Sequence, residues 1–516
     1  MAKINIPFNG TDYSIDEAAL ATATAQLKTH LTSVMNGSGA TINLGGVSYP
    51  IDSTKLSNAT NDFVSHLGSI SGNGSKVKVN GVEYSVDSTK VAGAVSELEV
   101  VLGNLNNPGG SGDEPVTAAA GLYQTGSNYT VMLKSWDDLL AENILHIENG
   151  VLSSGFDNEE WTNSSSEALA GDLVIDNSVT GMSDYAFYKC TELTGVVIPS
   201  SVTSMGGYTF SNCTSLVNVP VIPDGVTDMD GTFSNCTSLV NAPAIPNSVT
   251  SLYCTFARCS ALVNAPVIPD GVTDMRFTFD GCTSLVNAPA IPNSVSDMAY
   301  AFAHCPALVN APVIPNSVTI MSSTFDECTS LVNAPVIPDS VTSMDCTFAR
   351  CSALVNAPVI PDGVTHMSST FVGCTSLVNA PAIPNSVTSM SGTFVGCTSL
   401  VNAPVIPDGV TDMNGVFWYC TSLVNAPVIP DSVTSMGGAF GYCTSLVNAP
   451  VIPDSVTSME EIFMGCTSLT GEIEIKANPS EYFNCFSETE KPIKIVGTTT
   501  LKAELAATAN NGNVTY

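Results

Sequence analysis

The chain has 516 residues, of which 44% are hydrophobic and only 12% charged, with a formal net charge of -32. Between Lys189 and Lys476 the only positive side chains are Arg258, Arg276 and Arg350, which excludes a surface that tracks nucleic-acid phosphates or anionic lipid. Met1 to Gly10 has no basic stretch leading into an apolar one, and no long apolar run occurs anywhere, so neither a signal peptide nor membrane insertion is expected.

In chain order, residues 1–105 hold three copies of a unit of about 36 residues. In each, an alternating apolar run is broken by a two-residue turn, at Asn9-Gly10, Gly45-Gly46 and Asn80-Gly81, pairs that supply the positive φ of a tight hairpin. Each hairpin ends in Tyr-Ser-Ile-Asp or a close variant, at Tyr13, Tyr49 and Tyr84. Asp16, Asp52 and Asp87 then suit helix N-caps. The apolar residues that follow line one face of a helix: Leu20, Leu27 and Leu31, then Leu56, Phe63 and Leu67, then Val91, Leu98 and Leu102. Three small hairpin-helix (ββα) units are expected. One such unit buries too little apolar surface to stand alone. The three must pack on one another, or their helical seams anchor the chain to a partner subunit.

Residues 106–115 (Asn-Asn-Pro-Gly-Gly-Ser-Gly-Asp-Glu-Pro) have the composition of a flexible linker. Residues 116–170 are less regular: Ser135 suits the N-cap of a short helix reaching Glu142, and Asn149-Gly150 suits a hairpin turn. With Trp136 and Trp161, this stretch is expected to cap the rod that follows.

From 171 to 469 one 23-residue unit recurs almost unchanged. Thirteen of the sixteen cysteines fall in strict register from Cys190 to Cys466, and parallel ladders of Phe (Phe187 to Phe463) and Leu (Leu193 to Leu469) share the period. A fixed period in the twenties with one repeated apolar set predicts a β-rich, leucine-rich-repeat-type solenoid of about thirteen coils. Met, Phe, Cys and Leu are expected to point inward, and Val-Asn-Ala-Pro-Val-Ile-Pro and Val-Thr-Ser-Met to form two short strands per coil. Prolines such as Pro266 and Pro269 limit the first of these. The cysteines are expected to be free buried thiols, and the Asn218 to Asn448 series a hydrogen-bonded ladder. Residues 470–516, with strand-like Gly471 to Ala477 and Pro492 to Val496 and a helix-like Thr500 to Ala509, are expected to cap the far end.

Ile-Pro-x-Ser-Val-Thr-Ser-Met-x-x-x-x-Phe-x-x-Cys-x-x-Leu, as at Ile198 to Leu216, resembles the BspA-like (Treponema-type) leucine-rich repeat. That resemblance implies surface-displayed adhesins that bind proteins or glycans through a leucine-rich-repeat solenoid. The units at Tyr13, Tyr49 and Tyr84, followed by such repeats, are similar to virion proteins of bacteriophages that infect gut Firmicutes. This second likeness implies a structural protein on the virion surface, as a head fibre or decoration or as a tail fibre. Residues 1–105 would then hold capsid or tail proteins, the solenoid would meet a host-surface protein or glycan, and the chain would be multicopy or a homo-oligomer. It also accounts for the lack of an export signal, since virions leave by lysis. The alternative is a cell-surface adhesin of a bacterium or protist.

No enzyme is expected, because the five histidines are scattered and form no convergent titratable set. No cofactor or metal is expected either. A column at the Pro-Asp turn (Asp224, Asp270, Asp339, Asp362, Asp408, Asp431, Asp454) suits turn chemistry or calcium. Asn247, Asn293, Asn316 and Asn385 in the same register favour the turn. Coil against coil, variation concentrates in the two residues after Met and the two before Cys. Tyr253, Arg258, Arg276, Phe277, Tyr300, Arg350, Trp418, Tyr419 and Tyr442 stand there, joined by His304, Glu460 and Glu461. Aromatic and arginine side chains on an outer face are what contact sites favour, so the first nine are the ligand-contact candidates.

Overall fold

A computed structural model describes residues 136–142, 144–154, 169–509 and 512–516, together with the backbone of eight strands between Lys3 and Met132. The chain divides into two compact units, Met1–Ala141 with Gly171–Asp176, and Glu142–Ala170 with Asn177–Tyr516.

In the first unit the three hairpins form where alternation and turn residues place them. Strands β1 (Lys3–Phe8) and β2 (Thr11–Asp16), β3 (Thr41–Leu44) and β4 (Val47–Pro50), and β5 (Lys76–Val79) and β6 (Val82–Ser85) pair antiparallel. The pairs Phe8↔Thr11, Leu44↔Val47 and Val79↔Val82 each leave the two turn residues between them. β2 also pairs with β5, so the first and third hairpins share a sheet ordered β1-β2-β5-β6. The expected helices, with the anchoring candidates from Leu20 to Leu102, and the linker lie outside the described residues. A further hairpin, β7 (Gly121–Thr125) with β8 (Asn128–Met132), stands where the sequence looks irregular. It precedes helix α1 (Trp136–Ala141), which buries Trp136 and Leu139.

The second unit is a solenoid of about 15 stacked turns of about 22–23 residues. It opens with the hairpin β9 (Leu145–Glu148) and β10 (Val151–Ser154), whose turn residues Asn149 and Gly150 take φ of 53° and 80°. Positive φ at both central residues is what a type I′ hairpin turn requires. β10 pairs in parallel with β12 (Gly181–Met182), and β12 with β14 (Ser204–Met205), so the hairpin bonds to the edge of the first coil; β11 (Gly171–Val174) and β13 (Leu193–Val197) precede and follow β12 along the chain. Beyond that, the two short strands expected in each coil shrink to single bridges. One column lies at the residue before Met, as in Asp274↔Asp297, and the other at Asn, as in Asn264↔Asn287. Prolines explain the shrinkage: Pro266 and Pro269 have no N–H to donate and fix φ, so pairing cannot spread beyond the Asn. The Asn column stacks through these bridges, while its exposed side chains bond in two pairs, Asn264 to Asn241 at 3.1 Å and Asn310 to Asn287 at 3.5 Å.

The interior is made of copies touching copies. Val272, Met275, Phe279, Cys282 and Leu285 of one coil are all fully buried, as are their equivalents along the stack. Phe rings stack from Phe187 to Phe486 with centroids 5.2 to 5.8 Å apart and planes within 22°. Each such pair adds about 0.5–1.5 kcal/mol beyond its buried area. Each ladder thiol from Cys213 to Cys466 donates to the Phe carbonyl of the preceding coil, as Cys282 Sγ does to Phe256 O at 3.1 Å. All sixteen cysteines are free, and the thirteen of the ladder are buried. A third buried column is threonine: Thr278 Oγ1 reaches Met275 O at 2.8 Å and Leu252 O at 3.0 Å.

The motif fades after Leu469, yet stacking continues. Ser458 bridges Glu481, Phe486 stacks on Phe463, and β15 (Gly471–Glu474), β16 (Ile493–Val496) and β17 (Val514–Thr515) pair in parallel. Helix α2 (Lys502–Ala507) lies between the last two and buries Leu505. The far end is therefore built from further turns in the same register, with Tyr482 and Thr489 where earlier coils carry Met and Cys.

Candidate contact face

Between Met and Cys each coil makes a pair of tight turns. In one coil Thr255 N–H donates to Leu252 O and Cys259 N–H to Phe256 O, both at 3.1 Å. The third residue of each turn, Cys254 and Arg258, has φ of 55° and 59°. A positive φ there is the mark of a type II turn, which normally demands glycine or asparagine. Every coil repeats it: fourteen residues from Tyr185 to Asn484 and fourteen from Lys189 to Glu488 are left-handed. Two of the four variable positions in each coil, the second after Met and the last before Cys, are therefore the ones with strained backbone. Some coils relieve it with Gly231, Gly281, Gly392 or Asn212, while Phe277, Tyr300, Arg350, Tyr419 and Tyr442 do not. A left-handed residue with a side chain costs roughly 1–2 kcal/mol.

Of the nine candidates, Arg258, Arg276, Arg350 and Tyr419 are exposed, and Tyr253, Phe277, Tyr300, Trp418 and Tyr442 are half-buried against one another. The first group is Tyr253, Arg276, Phe277 and Tyr300. Phe277 stacks on Tyr300 at 4.5 Å and 7°, Tyr253 meets Phe277 edge-on at 5.9 Å, and the Arg276 guanidinium lies 5.2 Å from the Tyr253 ring centre. Asp274 binds that guanidinium at 2.6 Å, and its hydrogen bonds and charge raise the arginine further above its ordinary value. The second group is polar. Arg350 lies 3.4 Å from Asp326 and 3.2 Å from Glu327, and His304 Nδ1 lies 2.7 Å from Asp280. Burial pushes the Asp326 carboxyl up, and the charges of Arg350 and His304 pull it partly back.

The third group is Trp418, Tyr419 and Tyr442. The two tyrosines stack at 4.6 Å and 4°, with Trp418 edge-on to both. Loss of solvation, then the nearby Glu488, Tyr419 and Glu461, raises the Tyr442 hydroxyl. Side chains in these columns lean onto the next coil, which must make room. A Cβ at Gly231 would come within 2.4 Å of the Tyr208 ring, at Gly441 within 2.3 Å of Trp418, and at Gly465 within 2.5 Å of Tyr442. Toward the preceding coil Tyr419 faces Gly396, which has no side chain, and the ring stays 46% exposed.

Sequence reading missed a fourth group. Tyr185 and Tyr208 stack at 5.3 Å and 11°, with Tyr188 edge-on at 5.4 Å. Tyr185 and Tyr208 occupy the same register as Phe277 and Tyr300, and Tyr188 that of Trp418, so the period alone could have found them. The Asp and Asn column at the Pro-Asp turn is exposed in every coil. Among the described residues no three His, Cys, Asp or Glu side chains are placed to hold a metal ion, and no helix is long and apolar enough to cross a membrane.

Comparison with known proteins adds a family to this geometry. The BspA type leucine rich repeat region matches in six copies, over residues 166–285, 253–378 and 346–470. A leucine-rich repeat protein from Bacteroides ovatus is 24% identical with a TM-score of 0.53, over 72% of this chain and 96% of that one. A leucine rich cell surface protein from Faecalibacterium prausnitzii is 24% identical with a TM-score of 0.41, over 66% of this chain and 95% of that one. The first of these likenesses bears on the fold alone. A search of curated proteins finds no match.

Proposed function

We propose that this chain, which belongs to the BspA-type leucine-rich repeat family, is a non-enzymatic structural and adhesion protein of a phage virion, fastened by residues 1–105 and presenting its solenoid to a host or mucosal surface. The observation that carries the adhesive part is the concentration of aromatic and arginine side chains in the turns between Met and Cys, where six of the nine candidates (Arg258, Phe277, Tyr300, Arg350, Tyr419 and Tyr442) sit at left-handed residues. Strain at positions where glycine would be easier points to function, since nothing in the stacking requires Tyr419 or Phe277. The ligand is a host-surface protein or glycan that lies along the Tyr253–Tyr300 and Trp418–Tyr442 groups. The virion part is supported by the three hairpin units ahead of the repeats, which give a chain of this length a separate fastening module joined to capsid or tail proteins.

Two experiments test this reading. Antibody-labelled electron microscopy is expected to find the chain at symmetric sites on capsids or tails. Recovery in a cell-wall fraction without particles would instead favour a bacterial surface adhesin. Trp418→Ala combined with Tyr419→Ala is expected to weaken binding to host cells about tenfold, a loss of the size seen for aromatic anchors, at a temperature where circular dichroism shows both chains fully folded. Undiminished adhesion would count against the contact face.

A further inference from the structure

The most apolar surface of the solenoid lies away from the left-handed turns. In the segment Val-Asn-Ala-Pro-Val-Ile-Pro the isoleucine is buried, but the valine before it stands almost free. Val267, Val313, Val336, Val359, Val405 and Val428 are 85–88% exposed. Val221 begins the exposed column at 77%, and Ala244, Ala290 and Ala382 fill the same position in three further coils and are also exposed. A second valine column, from Val217 to Val424, runs beside it at 36–52% exposure. The stripe ends at Val451, which drops to 43% where Lys476 stands next to it.

We propose that this valine stripe is the face through which two copies of the chain associate, side by side and pointing the same way. Three observations support a second copy as the occupant. The first is area. Ten coil steps of about 4.8 Å and a width of about 13 Å give roughly 600 Å² of surface, in which two valine columns flank the exposed asparagine column, more than isolated solvent-exposed valines would make. That reaches the lower bound for one side of a specific interface, about 600 Å² of a total near 1,200 Å².

The second is sameness. The stripe is identical from coil to coil except for Val or Ala, so it offers no address to a ligand of irregular shape. What matches a surface repeating with every coil is another surface with the same repeat. The third is its polar columns. In each coil the exposed Asn of the bridge column, such as Asn264, stands three residues before the valine, between the two valine columns, and the exposed turn residue, such as Asp270, stands three residues after it. A two-fold axis along the stack sets the acidic column of one copy against the asparagine column of the other, where amide N–H groups can donate to carboxylates. An axis across the stack would face Asp with Asp, which like charges oppose.

The test is sedimentation of the full chain at tens of micromolar, alone and as the triple variant Val313→Lys, Val336→Lys, Val359→Lys. The native side chains are nearly free of contacts, so the variant is expected to keep its melting temperature. The wild type is expected to sediment as two copies, increasingly so with added salt, which screens a net charge of -32 per chain. The triple variant is expected to sediment as one. A wild type that stays single at high salt, or a triple variant as dimeric as the wild type, would overturn the proposal. For orientation, Val267→Cys and Val405→Cys are each expected to form a covalent dimer with their own counterpart on mild oxidation, beyond any formed by the wild type. Failure of both would overturn the parallel arrangement.

Discussion

Two sets of positions repeat every 23 residues, and they behave in opposite ways. The inner column, Phe279 and Cys282 with their copies, hardly changes. The outer columns, Phe277 and Arg258 with theirs, accept Gly, Asn, Tyr, Arg, His, Glu or Ser. The inner residues are bound by each other: a Phe ring rests on two Phe rings, and a thiol needs the carbonyl beside the ring one coil back. A change in one coil would leave both neighbours mismatched. The outer residues must satisfy only a φ near +60° and leave room on the next coil. Contact between copies fixes residue identity, whereas a backbone angle taxes it by about a kilocalorie per mole and otherwise leaves it open.

The largest effect expected from this contrast is alkaline unfolding. Burial raises every ladder thiol from Cys213 to Cys466 whose titration is resolved, with Cys259 and Cys397 pushed up to about 12. A value raised in the folded state means that the stabilisation is fully present below the unfolded thiol's value, about 8.5, and is lost as pH rises toward the folded one. Each thiol then contributes a fall of ~1.4 kcal/mol per pH unit. With a dozen titrating together, unfolding followed by circular dichroism should be steep between pH 9 and 11. A chain still folded at pH 11 would mean that the thiols are not sealed in. Next in size is Phe325→Ala in mid-stack, expected to cost about 3–5 kcal/mol by urea denaturation.

Much of the inner set was legible in the sequence, because a strict register of Cys190, Phe187 and Leu193 can arise only if each coil repeats the same contacts. The outer set was legible as variation but not as strain. Tyrosine and arginine give no hint of a left-handed backbone, yet Gly231, Gly281, Asn212 and Asn235 in the same columns carry that signal. The valine stripe was unreadable for another reason. An apolar residue between prolines looks like core, and only the structure shows that Pro266 and Pro269 turn Ile268 inward and leave Val267 outside. At the far end Phe486 keeps the register of Phe463, but Tyr482 and Thr489 break the motif around it, so the continued stacking was hidden.

The finest distinction is between backbone strain and side-chain packing in the outer columns. A Cβ at Gly396, where φ is 70°, would meet nothing nearer than the Gly373 backbone at 3.7 Å. Gly396→Ala is therefore sterically free, and its expected cost of about 1–2 kcal/mol is that of φ alone. Tyr419→Gly runs the other way. It relieves the same angle and gives up the stack on Tyr442 and the edge contact with Trp418, each worth about 0.5–1.5 kcal/mol, so the two terms partly cancel and the urea midpoint should move little. If Tyr419→Gly destabilised the chain as much as Phe325→Ala, the outer tyrosines would belong to the core. Their retention at strained positions would then be explained by packing, with no need for a ligand.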